Sequence, residues 1–109
     1  MNKYNAVRTE VDGILFHSKG EARRYGELKM LERAGEISDL ELQPQFVLLD
    51  AFERDGKRIQ AIKYKADFKY IEDDIVVIED FKGKETAEFK IKRKLFLNRY
   101  PEYEFRVTK

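Results

Sequence analysis

The chain has no cysteine and no tryptophan, and its 109 residues include one histidine, two prolines and six glycines. Without cysteine there is no disulfide, no thiolate zinc site and no cysteine nucleophile. The lone histidine, His17, excludes a poly-histidine metal cage; it reads as a surface residue just before a helix, and no mechanism is built on it. Long hydrophobic runs are also missing. The longest are four residues, such as Phe46 to Leu49 and Ile75 to Ile78, too short to span a bilayer, and the polar start does not read as a signal peptide. Net charge is nearly absent: 22 Lys+Arg against 21 Asp+Glu leave +1, which excludes a uniformly basic nucleic-acid coat and an acidic disordered tail. No repeat, low-complexity tract or flexible linker divides the chain. The expectation is one domain over 1–109 in a reducing, cytoplasmic compartment, without a membrane partner. Its 42% hydrophobic content, with eight Phe and six Tyr, suffices for one packed core near the lower size limit for unaided folding.

The near-zero charge conceals an uneven distribution. Residues 70–80 contain Glu72, Asp73, Asp74, Glu79 and Asp80 and no base. Residues 82–99 contain Lys82, Lys84, Lys90, Lys92, Arg93, Lys94 and Arg99 against Glu85 and Glu88. Carboxylates gather metal cations and bases gather phosphates, so the juxtaposition is a functional hint. Two solvated surfaces of opposite sign are the plainer alternative.

The local signals specify an α-β-β-β-α-β order. Residues 1–17 read as irregular, with a short strand or hairpin from Val11 to Phe16 across Asp12-Gly13. A helix spans about Ser18 to Ala34, with Ser18 as N-cap, Glu21 three residues on and Gly35 after its end. A strand from about Leu40 to Phe52, bent or at an edge near Pro44, turns at Asp55-Gly56 into one from Ile59 to Tyr70. A turn at Glu72-Asp73-Asp74 leads into Ile75 to Lys82, and a second helix covers about Thr86 to Arg99. The last strand, Tyr103 to Thr108, must cross over through that helix and so pairs parallel to the third. The fold class is α/β (α+β), a mixed sheet flanked by two helices.

Alternation puts Asp80 and Lys82 on one strand face, roughly 6–7 Å apart, with Phe81 turned away. Pairing Tyr70 opposite Ile75 places Asp67 near Ile78, about one pair from Asp80, so the two aspartates converge from adjacent strands. Two carboxylates offer hard oxygen ligands to Mg2+, which needs only one or two and completes its shell with water and substrate phosphate. A nearby lysine orients or deprotonates an attacking water, a combination suited to hydrolysis of a phosphate ester.

Asp67, a dozen residues, then Asp80-Phe81-Lys82 at the end of an apolar strand resembles the signature of the PD-(D/E)XK, or restriction-endonuclease-like, nucleases. The chain also resembles, from about residue 12 to 107, a family of small phage-encoded proteins of previously unknown function. Ser18 to Tyr25, Leu42-Gln43-Pro44-Gln45-Phe46 and Ile78 to Gly83 carry that likeness. Ala66 precedes Asp67 where the name-giving motif has proline. The resemblance implies the αβββαβ core already read from pattern. It adds Glu21, from the first helix, to Asp67 and Asp80 as ligands of one or two Mg2+ (or Mn2+) ions. Lys82 would position the water or stabilise the developing charge, with no small-molecule cofactor. The implied activity is that of an endonuclease acting on branched or duplex DNA in phage DNA processing, most attractively as a Holliday-junction-resolvase-like homodimer in the host cytoplasm.

Each candidate has a plainer role beside the functional one. Glu21 sits where a capping box would place it. Asp67 could merely end a strand, and Asp80 with Lys82 could be a local ion pair. Glu79 points opposite Asp80 and reads as a surface acid. Gln43 is either a support for the metal-bound water or a satisfied core amide. Lys84, Lys90, Lys94, Arg23 and Arg24 are phosphate-contact candidates or a solvated helix surface. The aromatics follow the apolar faces and read as core. Two rival readings accompany the nuclease: a non-catalytic nucleic-acid-binding module of the same fold, and an interaction protein with solubilising charge.

Overall fold

The computed structural model describes residues 7–109; the part of the irregular lead-in expected over residues 1–6 lies outside them. A hairpin, β1 (Thr9–Val11) and β2 (Ile14–Phe16), turns at Asp12-Gly13, both with positive φ. Helix α1 (Lys19–Arg33) follows, with the Ser18 hydroxyl accepting from the Glu21 amide at 3.1 Å.

The central sheet has four strands in the order β10 (Glu104–Thr108), β9 (Ile75–Phe81), β8 (Phe68–Glu72), β3 (Ser38–Leu42). β10 runs parallel to β9, as the crossover through α2 (Ala87–Arg99, N-cap Thr86) requires, and the other pairs are antiparallel. α1 packs Ala22, Tyr25 and Leu28 on one face, against Phe68, Tyr70 and Val77. α2 packs Phe89 and Phe96 on the other, against Ile78, Tyr64 and Phe46. The molecule is a mixed α/β sheet flanked by two helices.

The two long strands expected over Leu40–Phe52 and Ile59–Tyr70 are broken. The first becomes β3, β4 (Gln45–Leu49) and β5 (Phe52–Arg54); the second becomes β6 (Lys57–Ile59), β7 (Ile62–Lys65) and β8. Gln43 sits at φ 52° just before Pro44, so the chain bends where a left-handed residue meets a ring that cannot donate. The partner strand bends at Ala66-Asp67, and backbone bonds Gln43 N to Asp67 O (2.9 Å) and Ala66 N to Pro44 O (3.1 Å) keep the pair zipped. Beyond the bend, β4 and β7 form a two-stranded ribbon that leaves β9 behind, and β5–β6 extends it as a second hairpin.

Candidate functional site

β7 parts from β9 at the end of the central sheet, and the candidate acids meet at that divergence. Its geometry depends on register. The β8–β9 turn is only Asp73-Asp74, at φ 52° and 64°, so Glu72 pairs with Ile75 and Tyr70 with Val77. This corrects the expected pairing of Tyr70 with Ile75 by two residues. The next position beyond Phe68↔Glu79 sets Asp67 opposite Asp80, closer than the sequence pattern suggested.

Both aspartates are held by specific donors. The Phe81 amide donates to Asp67 Oδ2 at 2.7 Å, and the Tyr64 hydroxyl donates to Asp80 Oδ2. Lys82 Nζ lies 3.7 Å from the same Asp80 oxygen and 4.7 Å from the centre of the Phe89 ring, so α2 helps to place the ammonium. Glu21 enters from the first turn of α1, where the helix dipole favours a carboxylate. Asp80 is 2% exposed and Glu21 8%.

Their electrostatics are those of a carboxylate cluster short of positive charge. Burial, then a hydrogen bond and charge repulsion from Asp67, push Asp80 up to about 8 against the pull of Tyr64 and Lys82. Burial raises Asp67 as well, with the Glu21 charge adding to it. Glu21 is raised by burial and then by Asp80, opposed by Lys82. Adjacent buried carboxyls that hold a proton between them are suited to exchanging it for a cation. The donor chemistry of Asp67 and Asp80 fits Mg2+, which takes one or two carboxylates and fills the rest with water. The set is not a closed cage: among the described residues, no group of three or more His, Cys, Asp or Glu is drawn together tightly enough to hold a metal ion.

Other assignments change. Glu79 does point opposite Asp80, but it is no surface acid: it is 0% exposed. It accepts from Arg24 Nε at 2.6 Å and Nη2 at 2.9 Å, from the Tyr70 hydroxyl at 2.6 Å and from Thr108 at 3.2 Å. Alternation gives the side of a strand but not whether that side is covered, and here α1 covers it. Burial pushes the Glu79 carboxyl up, but Arg24 and Tyr70 outweigh it and leave it below the usual range. Arg24, also bonded to Glu27 at 3.2 Å, is thereby withdrawn from the phosphate-contact set. Gln43 is exposed in the bend, so it is not a core amide. Arg23, Lys84, Lys90 and Lys94 are exposed and pair with no carboxylate among the described residues, whereas Lys92 and Arg93 are paired with Glu88 and Glu85. Sequence reasoning missed Tyr64. Its signal was a hydroxyl in an otherwise aromatic core, which must find a partner when buried.

A mixed sheet between two helices, with buried acids converging where its strands part, defines an α/β protein with a carboxylate cluster at a strand divergence. The chain belongs to the family described as Protein of unknown function (DUF1064), whose profile matches residues 1–109. No curated protein and no solved structure matches it. Among the described residues, no helix is long and apolar enough to cross a membrane.

Proposed function

We propose that the protein is a metal-dependent endonuclease of the PD-(D/E)XK kind that hydrolyses DNA phosphodiester bonds, acting on a DNA structure such as a four-way junction during phage DNA processing. The observation that carries this reading is the pairing of Asp67 with Asp80 at the strand divergence, with Lys82 beside them. Bound by Asp67 and Asp80, Mg2+ or Mn2+ would supply Lewis-acid polarisation of a phosphoryl oxygen and a more acidic water. The chain's own groups do the rest. The Phe81 amide and the Tyr64 hydroxyl each fix one carboxylate oxygen, which pre-sets the donor pair. Lys82 brings an ammonium to the place where negative charge grows on the phosphoryl group. Glu21 adds a third carboxylate from α1 to orient water. A homodimer belongs to this reading by analogy with small junction nucleases of this fold, which recognise DNA shape as symmetric pairs.

A second reading, a nucleic-acid-binding module without activity, is favoured by the open arrangement of the three carboxylates. One experiment separates the two. Purified protein and its Asp80→Ala variant are incubated with Mg2+ or Mn2+ and with four-way junction, flap, single-stranded and linear duplex DNA. The nuclease reading predicts metal-dependent cleavage of at least one substrate, reduced more than about 100-fold in the variant. Salt-dependent binding without cleavage of any of them supports the module.

A further inference from the structure

Beyond the carboxylate cluster, the β4–β7 ribbon has one covered face and one open one. Phe46, Leu48 and Tyr64 are buried beneath α2. The opposite face is built by the pairs Gln45↔Lys65 and Val47↔Lys63. α1 packs on β1, β2, β3 and β9, not across this ribbon. Lys63 and Lys65 are exposed and have no ion-pair partner among the described residues. Neither strand contains an acid: β4 reads Gln-Phe-Val-Leu-Leu and β7 Ile-Lys-Tyr-Lys. In a chain with almost as many acids as bases, an uncovered surface with two free ammonium groups and no carboxylate is a local excess of positive charge. With only Val47 apolar between the lysines, it is ill suited to burying a protein partner. Its strand also leads to the carboxylates. Lys65 stands two residues before Asp67, and the bonds from Gln43 N to Asp67 O and from Ala66 N to Pro44 O tie the ribbon's backbone to the Asp67 segment.

We propose that this open face of β4–β7 is a docking surface for the phosphate backbone of a nucleic acid, with Lys63 and Lys65 as its contacts, leading the strand to Asp67 and Asp80. The proposal deepens the nuclease reading and rests on it for the direction of travel, but the docking surface serves the binding module equally. Lysines are flexible point charges without the arginine fork, so the surface holds backbone and does not read sequence. It moves the main contact away from α2, where the basic run of the sequence had pointed.

The test measures binding of labelled four-way junction and duplex DNA by fluorescence anisotropy across a salt series in EDTA, which prevents cleavage. Wild type is compared with Lys63→Gln/Lys65→Gln, Lys90→Gln/Lys94→Gln and Asp80→Asn. Every lysine exchanged is exposed, and circular dichroism checks the fold. The expected result is a loss of affinity of about tenfold or more for the β7 pair, with the slope of log K against log salt shallower by roughly two contacts at about 0.9 each. The α2 pair should lose less. Wild-type affinity and slope in the β7 pair overturn the proposal, as does displacement of DNA by polyglutamate at equal charge, which would mark a generic anion surface. The two readings fail separately. Wild type that binds through β7 but never cleaves with Mg2+ removes the nuclease and leaves the surface. Cleavage with an unaffected β7 pair removes the surface and leaves the nuclease.

Discussion

At Asp80, burial and the neighbouring Asp67 act in the same direction, and the consequence is a stability that depends on pH. Its folded-state pKa of about 8 lies above the unfolded carboxylate value of roughly 3.9. Between those values the native state binds the extra proton, so without metal the protein loses stability as pH rises through that window. Raised Asp67 and Glu21 add to the same slope. Glu79 has the opposite sign: its lowered pKa gives stability that is present above the ordinary carboxylate range and lost in acid. Denaturant unfolding in EDTA should therefore show a decline from about pH 5 to about pH 8 that flattens in Asp80→Asn. An equal slope in that variant contradicts the assignment. Glu21 gives a second prediction. The cap bond runs from its backbone amide to the Ser18 hydroxyl, and the carboxylate makes no return bond to Ser18. Glu21→Gln should stay folded, with a shallower loss of stability as pH rises, yet lose metal-dependent cleavage. Normal cleavage would remove Glu21 from the metal site.

The elements explain how three side chains from three segments keep one geometry. Residues on either side of Glu21 grip residues on either side of Asp80. Gly20 lies against Phe81 so closely that a Cβ there would sit 2.3 Å from the ring Cζ, and Arg24, one turn on, clasps Glu79. Gly20→Ala must push α1 off β9 or displace Phe81, whose amide holds Asp67. A cost of about 1–3 kcal/mol is expected, with a smaller Mg2+-induced rise in melting temperature. A wild-type melting response to Mg2+ would detach the helix from the site. The Arg24–Glu79 pair behaves differently. Arg24→Met strands a carboxylate in the core and should cost about 3–5 kcal/mol, while Arg24→Met/Glu79→Leu recovers much of that, because burying both charges was itself costly. Equal losses in the single and double variants would show that the arginine acts through packing alone.

At the scale of the whole molecule, dimensions of 52 × 40 × 23 Å describe a flat body extended by the β4–β7 and β5–β6 ribbons. Its radius of gyration of 15.8 Å exceeds the roughly 13 Å of a compact chain this long. Much of the interior was legible in advance, because Ser18, Thr86, Asp12-Gly13 and Asp55-Gly56 act locally and mark their elements wherever they stand. The parallel last strand followed from chain crossing alone. What was not legible depended on long-range facts. A left-handed Gln43 splits a strand that looked continuous by hydropathy. A two-residue turn, rather than a longer one, shifts register and brings Asp67 level with Asp80. Glu79 looked like one more acid in an acidic stretch until α1 covered it, and Tyr64 looked like core until its hydroxyl met Asp80. The acidic stretch thus divides into an exposed turn, a buried brace and a site carboxylate, three fates that charge counting cannot separate.

Whether Asp67 and Asp80 together hold a divalent cation is decided by calorimetric titration of Mn2+ into the metal-free protein. Wild type should bind saturably, with affinity weakened more than about tenfold in both Asp67→Asn and Asp80→Asn and the fold retained by circular dichroism. Absence of binding by wild type, or variants that titrate as wild type does, would contradict a cation site shared by the two aspartates.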